Sequence, residues 1–481
     1  MSKIEKKYTK GSFSKGRPSQ EELTILRERR MSQYEGKTAS MPLCIFNLMN
    51  AILGSGILGL ANAVANLGIA LFTGMLVAVA VLAFNSIRLL IEMCDYTGNS
   101  SYEAIGKAAF GLGGKVVTIL NIFIHTMGAM CSFLFIVKYE LPEVIRVLVG
   151  AGPCDEAWYL NGDILTIMVT VIIIMPLAAA RNIGFLGYTS GFAMACMIFF
   201  TGVIIAERWI IPCPIRNNTI EISTNTSDDA VGVTEDYHNH NETCSSQTSD
   251  IHREFEEGLA HQTCDAKIIT WNSLSAYAIP TMVFAFQCHA SVLPIYTELT
   301  NPTAKRMHKV AVISILNVFV LYFLAALFGY LTFYSAVGPE LLLMYSAYDP
   351  TNIVILISRL MVLCCVIFST PLLHYPARKS LIMLFFENKP FSWITHLGIM
   401  IVLLTTTNIL VIYVPTIREV FGFAGATCAS MLVIILPSLF YLRLGPGPLL
   451  SSRKLVPLFL VIIGFGFMVM SMALIIMGWI K

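Results

Sequence analysis

The chain has 481 residues, of which 56% are hydrophobic and only 13% are charged, about half the roughly 25% that is usual for soluble domains. This composition excludes an ordinary soluble domain and predicts a polytopic membrane protein. The net charge of +2 indicates little by itself, because the distribution of charge among loops determines membrane topology.

The first 40 residues are polar and rich in lysine and arginine, and they lack the short apolar core of a cleavable signal peptide. Positive charge next to a first span keeps a segment in the cytoplasm. We therefore expect residues 1–40 to be a disordered cytoplasmic N-terminus and residues 41–481 to form the membrane domain. The basic residues have this topological role, so no nucleic-acid partner is expected.

Eleven apolar stretches approach the roughly 20 residues that a helix needs to cross a bilayer. They cover residues 43–67, 69–94, 116–137, 164–180, 186–206, 274–294, 310–334, 353–373, 395–414, 420–442 and 455–480. Alternate loops carry the lysines and arginines, which places those loops in the cytoplasm and the C-terminus outside the cell.

Gly54-Ser55-Gly56 interrupts the first apolar stretch. In a bilayer, unwound backbone persists only where it is buried in protein or lines a cavity. Carriers direct the N–H groups of such a break at an anionic group and its carbonyls at a cation. We expect the N–H groups of Gly54, Ser55 and Gly56 to bind a substrate carboxylate.

His125 lies in the middle of the third stretch. An ionisable group inside the membrane is a functional candidate, and histidine titrates near physiological pH. It is a candidate proton site. The alternative is a neutral histidine that makes a hydrogen bond between helices.

A large polar loop, residues 208–268, separates the fifth and sixth stretches and is expected outside the cell. It contains three glycosylation triplets, which begin at Asn217, Asn225 and Asn241. It also contains Cys213, Cys244 and Cys264, and a disulfide can persist in an oxidising compartment. No cysteine or histidine spacing in the sequence suggests a metal site.

The sixth stretch is interrupted too, by Pro280 and then by polar residues from Gln287 onward. It comes five spans after the first, and two breaks at matching positions of two halves predict an inverted repeat with its binding site between them. The expected fold is therefore all-α, a 5+5 inverted repeat with the first and sixth helices broken. Carbonyls near Phe284, Phe286 and Gln287 would bind a substrate ammonium group, with the last two side chains setting specificity.

Several longer motifs carry a resemblance to a known family. They lie at residues 46–60, 135–142, 293–299, 328–334 and 414–418. From about Met41 to the C-terminus the chain resembles the sodium-coupled neutral amino acid transporters of the system A and system N type, solute carrier family 38, in the amino acid/auxin permease group. The resemblance implies a LeuT-like fold in the plasma membrane and symport of sodium with amino acids such as glutamine, asparagine or alanine.

The resemblance also implies individual site residues. Asn50 matches an asparagine implicated in sodium binding. The family pattern Val-Thr-Leu-Thr-Val-Pro corresponds to residues 366–371, where Ser369 keeps a hydroxyl group at the second threonine but Ile367 replaces the first. Thr370, which stands where the pattern has valine, is a further candidate hydroxyl ligand for sodium. Cys213 and Cys264 match the disulfide cysteines of the outer loop.

The sequence contains no Gly-x-Ser-x-Gly, no His-Glu-x-x-His and no phosphate-binding glycine loop, so we expect no enzymatic activity and no cofactor beyond the transported sodium. An amino-acid-sensing receptor, or a carrier coupled mainly to protons, would have a similar site and remains the alternative.

Overall fold

The computed structural model describes residues 39–152, 155, 157–179, 186–211, 264–272, 274–349, 352–386, 392–414, 416–448 and 451–480. Nearly all of the expected N-terminal segment lies outside these ranges. So do the three glycosylation triplets and two of the outer-loop cysteines, Cys213 and Cys244.

The first half of the described chain consists of helices α1 (Met41–Ile52), α2 (Gly56–Leu67), α3 (Ile69–Thr97), α4 (Tyr102–Val149), α5 (Gly162–Val169), α6 (Met175–Ala179) and α7 (Leu186–Ile210). A π-helical turn, Thr170–Ile174, joins α5 to α6.

The second half consists of α8 (Ser275–Ala285), α9 (His289–Glu298), α10 (Ala304–Phe333), α11 (Leu341–Tyr348), α12 (Ile353–Phe385), α13 (Trp393–Tyr413), α14 (Ile417–Ala424), α15 (Leu436–Leu444) and α16 (Ser452–Ile480). Two π-helical segments, Gly425–Ala429 and Met431–Ile435, connect α14 to α15.

Ten spans in the described residues are long and apolar enough to cross a membrane, and the bent pair α1–α2 is the eleventh. The two members of that pair meet at an angle of 55°. The sixth span is α8 with α9, separated by Phe286 to Cys288. The prediction of an all-α polytopic membrane protein with eleven spans and breaks in the first and sixth is confirmed.

The two breaks pack against each other at the centre of the molecule. A Cβ atom added to Gly56 would lie 2.7 Å from the Cβ atom of Ala285, closer than real Cβ atoms approach. A glycine is therefore required at position 56 for steric reasons as well as for the break.

Helix α4 is longer than the stretch 116–137 that the sequence predicts. It kinks at Phe110 and Gly111, where Gly111 has a φ of 64°, and it continues to Val149. Its last three turns carry charged side chains that are nonetheless buried, because several are paired: Lys138 Nζ lies 2.7 Å from Asp163 Oδ1. Pairing makes burial of a charge tolerable, and apolar periodicity alone does not reveal it.

A short helix that the sequence does not predict covers one end of the bundle. We call residues 337–348, which include α11, the capping segment. Asn62 Nδ2 of α2 donates a hydrogen bond of 2.7 Å to the Val337 carbonyl, and Leu341 packs on Gly329 of α10. The capping segment thus lies between α2, α10 and the start of α12.

Candidate functional site

A central cavity lies where the two broken helices meet, and it occupies about 710 Å³ with its open mouth included. Both breaks, α4 and α12 line it. The sequence-predicted residues that it brings together are Asn50, Gly54, Ser55, Gly56, His125, Phe284, Gln287 and Ser369. None of its described lining residues is an aspartate, glutamate, lysine or arginine.

The cavity extends toward one end of the bundle only. On that side it is lined by Ser291 of α9 and Pro376 of α12. Toward the capping segment it is closed by Phe421, whose ring centroid lies 5.2 Å from that of Phe284 and whose edge contacts Gly59. A second, smaller pocket lies beyond Phe421 and is lined by the capping-segment residue Pro339 and by Arg418.

The first break leaves backbone donors available. The Leu53 N–H closes α1 with a hydrogen bond of 2.7 Å to the Met49 carbonyl, and α2 begins at Gly56. Among the described residues no hydrogen-bond acceptor is found for the N–H groups of Ser55 and Gly56. The N-terminus of α2 is therefore a site for negative charge, as helix N-termini are in general.

One side chain that sequence reasoning missed connects both breaks. The Tyr322 hydroxyl of α10 lies 2.8 Å from the Ile52 carbonyl and 3.0 Å from the Ala285 carbonyl. Tyr322 is fully buried, and its ring packs edge to face on Phe286 at 5.4 Å. Nothing in the local sequence distinguishes this tyrosine from other aromatic residues of an apolar span, so only the fold identifies it.

Gln287 presents a donor in a fixed orientation. Its Oε1 accepts a 2.7 Å hydrogen bond from the His289 backbone N–H and lies 3.1 Å from His289 Nδ1. This leaves Gln287 Nε2 buried with no hydrogen-bond partner in the described part of the chain, and His125 Nδ1 is in the same situation. Two unsatisfied polar groups therefore belong to side chains that line one cavity.

The predicted sodium ligands are only partly brought together. Asn50 Nδ2 donates to Ser190 Oγ of α7 at 3.3 Å, so Ser190 is a further hydroxyl near the site that the sequence did not indicate. Ser369 lines the cavity, whereas Thr370 does not and donates to the Val366 carbonyl at 2.7 Å. Ile367 does not line the cavity either.

The structure also describes two other residues named in the sequence-based predictions. Phe286 packs on Tyr322 and does not line the cavity. Cys264 is disulfide-bonded, and its partner lies outside the described residues. The pairing of Cys264 with Cys213 therefore remains a prediction.

Comparisons with known proteins identify the family. The model of the transmembrane amino acid transporter protein family matches residues 37–480. The chain belongs to this family. It is 44% identical to human sodium-coupled neutral amino acid transporter 4 over 95% of this chain and 88% of the human protein. It is also 44% identical to zebrafish sodium-coupled neutral amino acid symporter 2, over 93% of this chain and 84% of that protein.

A rat transporter 4 matches at 44% identity over 92% of this chain and 85% of its own length. All three relatives are named as sodium-coupled neutral amino acid transporters or symporters, the group that the sequence motifs resemble. The sequence-based assignment to this group is therefore confirmed. Any function proposed for the protein must account for the two broken helices and for the absence of charged side chains among the described residues that line the cavity between them.

Proposed function

We propose that the protein is a secondary active transporter that carries neutral L-amino acids across a membrane together with sodium. The observation that carries this proposal is the cavity itself: two helix breaks supply backbone dipoles, and no charged side chain of a described residue lines the space between them. A zwitterion has two charges that matched dipoles can bind, while a third charge on its side chain would find no counter-ion there.

The substrate carboxylate would bind to the Ser55 and Gly56 N–H groups at the start of α2. Its ammonium group would face the carbonyls of Phe284 and Ala285 in the second break. Those carbonyls already accept bonds from the Gln287 N–H and the Tyr322 hydroxyl. Each carbonyl oxygen has two lone pairs, so each can accept a further hydrogen bond.

The substrate side chain would meet Gln287 and His125. A carboxamide has both an acceptor oxygen and a donor NH₂, so it can satisfy Gln287 Nε2 and His125 Nδ1 together. An aliphatic side chain would leave these buried groups unpaired, which costs about 1–3 kcal/mol for each group. Among the substrates that the family resemblance implies, the site therefore favours glutamine and asparagine over alanine.

Sodium would bind where α1 unwinds. Asn50 and Ser369 line the cavity there, and the Ser190 hydroxyl adjoins Asn50. Amide, hydroxyl and backbone carbonyl oxygens are the ligands that broken helices offer to sodium. Thr370 would join this set only if its hydroxyl oxygen turned toward the ion.

The distribution of charged loops supports a multi-pass protein of the plasma membrane with a cytoplasmic N-terminus and an external C-terminus. In that orientation the cavity mouth, near Ser291 and Pro376, faces the cytoplasm and the capping segment faces outward. The conformation would then be the one that releases substrate into the cell.

Uptake by the purified protein in liposomes tests the proposal. Labelled glutamine, asparagine, alanine, lysine and glutamate are supplied with sodium, lithium or choline as the external cation. We expect sodium-dependent uptake of the neutral substrates, with glutamine and asparagine preferred, and no uptake of lysine or glutamate. Equal uptake in choline that follows an imposed pH gradient would favour the proton-coupled alternative, for which His125 is the candidate site.

A further inference from the structure

A buried ionic cluster outside the cavity attaches the capping segment to the helix bundle. Arg359 Nε of α12 lies 3.2 Å from Glu140 Oε2 of α4, and Arg359 Nη2 donates to the Leu342 carbonyl of α11 at 3.1 Å. Glu340 precedes α11 and lies within hydrogen-bonding reach of the Glu140 carboxyl. All three side chains are almost fully buried, with 0% to 3% of each exposed.

The charges of this cluster do not balance. Two carboxylates and one guanidinium leave one net negative charge, and neither oxygen of Glu340 has a hydrogen-bond donor among the described residues. A hydrogen bond between two carboxyl groups requires a proton on one of them. Arg359 pairs with Glu140, so Glu340 is the group that carries the proton.

Other charged groups near the cluster do not supply the missing positive charge. Glu143 pairs with Arg146 at 3.7 Å, and Glu207 accepts a hydrogen bond from Asn352. Helix α2, which packs on the capping segment, contains no titratable side chain. Among the described residues, Tyr139 on α4, Arg208 on α7, Tyr345 on α11 and Arg418, which shares the small pocket with Pro339, also face the cluster or the capping segment. None of them donates a hydrogen bond to Glu340.

We propose that Glu340 is a proton-binding site that holds the capping segment closed. With the proton bound, Glu340 donates a hydrogen bond to the Glu140 carboxylate. When the segment opens, the proton passes to water on the outer side and Glu340 ionises in solvent. The inference rests on the proposed function only in that the capping segment must open for an external substrate to enter.

The effect of pH follows from the burial of Glu340. Burial and the Glu140 carboxylate raise the pKa of Glu340 well above its usual value, and Arg359 opposes this in part. The closed form therefore binds the proton more tightly than the open form. Proton binding therefore stabilises the closed form fully at a pH below 4.5, the ordinary pKa of a glutamate. This stabilisation is lost as the pH rises through the raised pKa that Glu340 has in the closed form.

Thiol labelling measures opening without measuring transport. Ala63 is buried in the small pocket that the capping segment covers. An Ala63→Cys protein in membranes is treated from outside with a charged, membrane-impermeant methanethiosulfonate between about pH 5 and about pH 8. Protein that lacks this cysteine gives the background from native thiols. Each Glu variant is compared with its Ala63→Cys parent at the same pH, so the ionisation of the reporter thiol cancels.

Glu340→Gln keeps a donor toward Glu140 but has no proton to lose. We expect slow labelling at every pH, so that the parent exceeds the variant by at least about three-fold at the alkaline end and matches it at the acid end. In Glu140→Gln the neighbouring negative charge is absent and Glu340 can ionise against Arg359. The opening transition should then move to lower pH by about one unit or more.

Glu143→Gln, one turn away on α4, is the matched control and should behave as the parent does. Parallel pH dependence in the parent and Glu340→Gln, or an unmoved transition in Glu140→Gln, would overturn the assignment. Sodium-dependent uptake can fail or succeed independently of this labelling, so the result does not depend on the identity of the substrate.

Discussion

Asn50 and Ser369 are the two predicted sodium ligands that line the cavity. Replacing either by alanine removes an oxygen ligand, and the loss of one contact to a charged group corresponds to about 1.5 kcal/mol, or roughly ten-fold in affinity. We expect Asn50→Ala and Ser369→Ala each to raise the sodium concentration for half-maximal uptake by about that factor.

Ile367→Thr is the matched control for this measurement. The family resemblance implies that isoleucine here replaces a ligand, but Ile367 does not line the cavity and lies two residues, about 200° of helix rotation, from Ser369. We expect its sodium dependence to equal that of the unmodified protein. A gain in sodium affinity at position 367, with no loss at position 50, would place the ion elsewhere.

The second prediction concerns His125 and the choice between carboxamide and aliphatic substrates. Its unpaired Nδ1 in the cavity would contact a carboxamide substrate but not an aliphatic one. His125→Leu should therefore reduce the preference for glutamine over alanine by about ten-fold while alanine uptake persists. His308→Leu, on α10 and away from the cavity lining, is the control. An unchanged substrate ratio in competition assays would exclude His125 from the side-chain site.

The sequence could predict some of these residues and not others. Gly54, Ser55 and Gly56 were predictable because a glycine-rich break in an apolar span has few explanations. Ser190 and Tyr322 were not, because a lone hydroxyl in an apolar span becomes informative only when the packing of α7 and α10 places it beside a break.

At the scale of the helices, the contact between the two breaks gives a prediction. Gly56→Val places a branched side chain where a single Cβ atom would already lie 2.7 Å from Ala285. We expect loss of uptake with protein still present at the surface, since the contact belongs to the site and not to the whole bundle. Gly74→Val on α3 is the control, because no atom of the described residues lies within 4 Å of a Cβ atom added there. Equal uptake by both variants would contradict the close contact between the two breaks.

The helices themselves were predicted unevenly. The eleven spans follow from apolar length, but the extension of α4 beyond residue 137 and the short α11 do not. Both depend on buried charges, such as Glu140 with Arg359, whose partners are distant in sequence. An isolated stretch containing Lys138, Glu140 and Glu143 resembles a loop until those partners are known.

For the molecule as a whole, the outer loop gives a prediction outside the described residues. A Cys213–Cys264 disulfide would connect the end of α7 to the start of α8 and restrict the loop between them. Mass spectrometry of non-reduced peptides should identify that pair. A Cys244–Cys264 peptide would refute it, although Cys264 itself is disulfide-bonded in either case.

The proposed function requires that sodium and a neutral amino acid cross the membrane together. The most direct measurement is accumulation of labelled glutamine in liposomes that contain the purified protein and an inward sodium gradient. We expect internal glutamine to rise above the external concentration and to fall back to it when an ionophore dissipates the gradient. Uptake that never exceeds the external concentration, or binding without uptake, would contradict it.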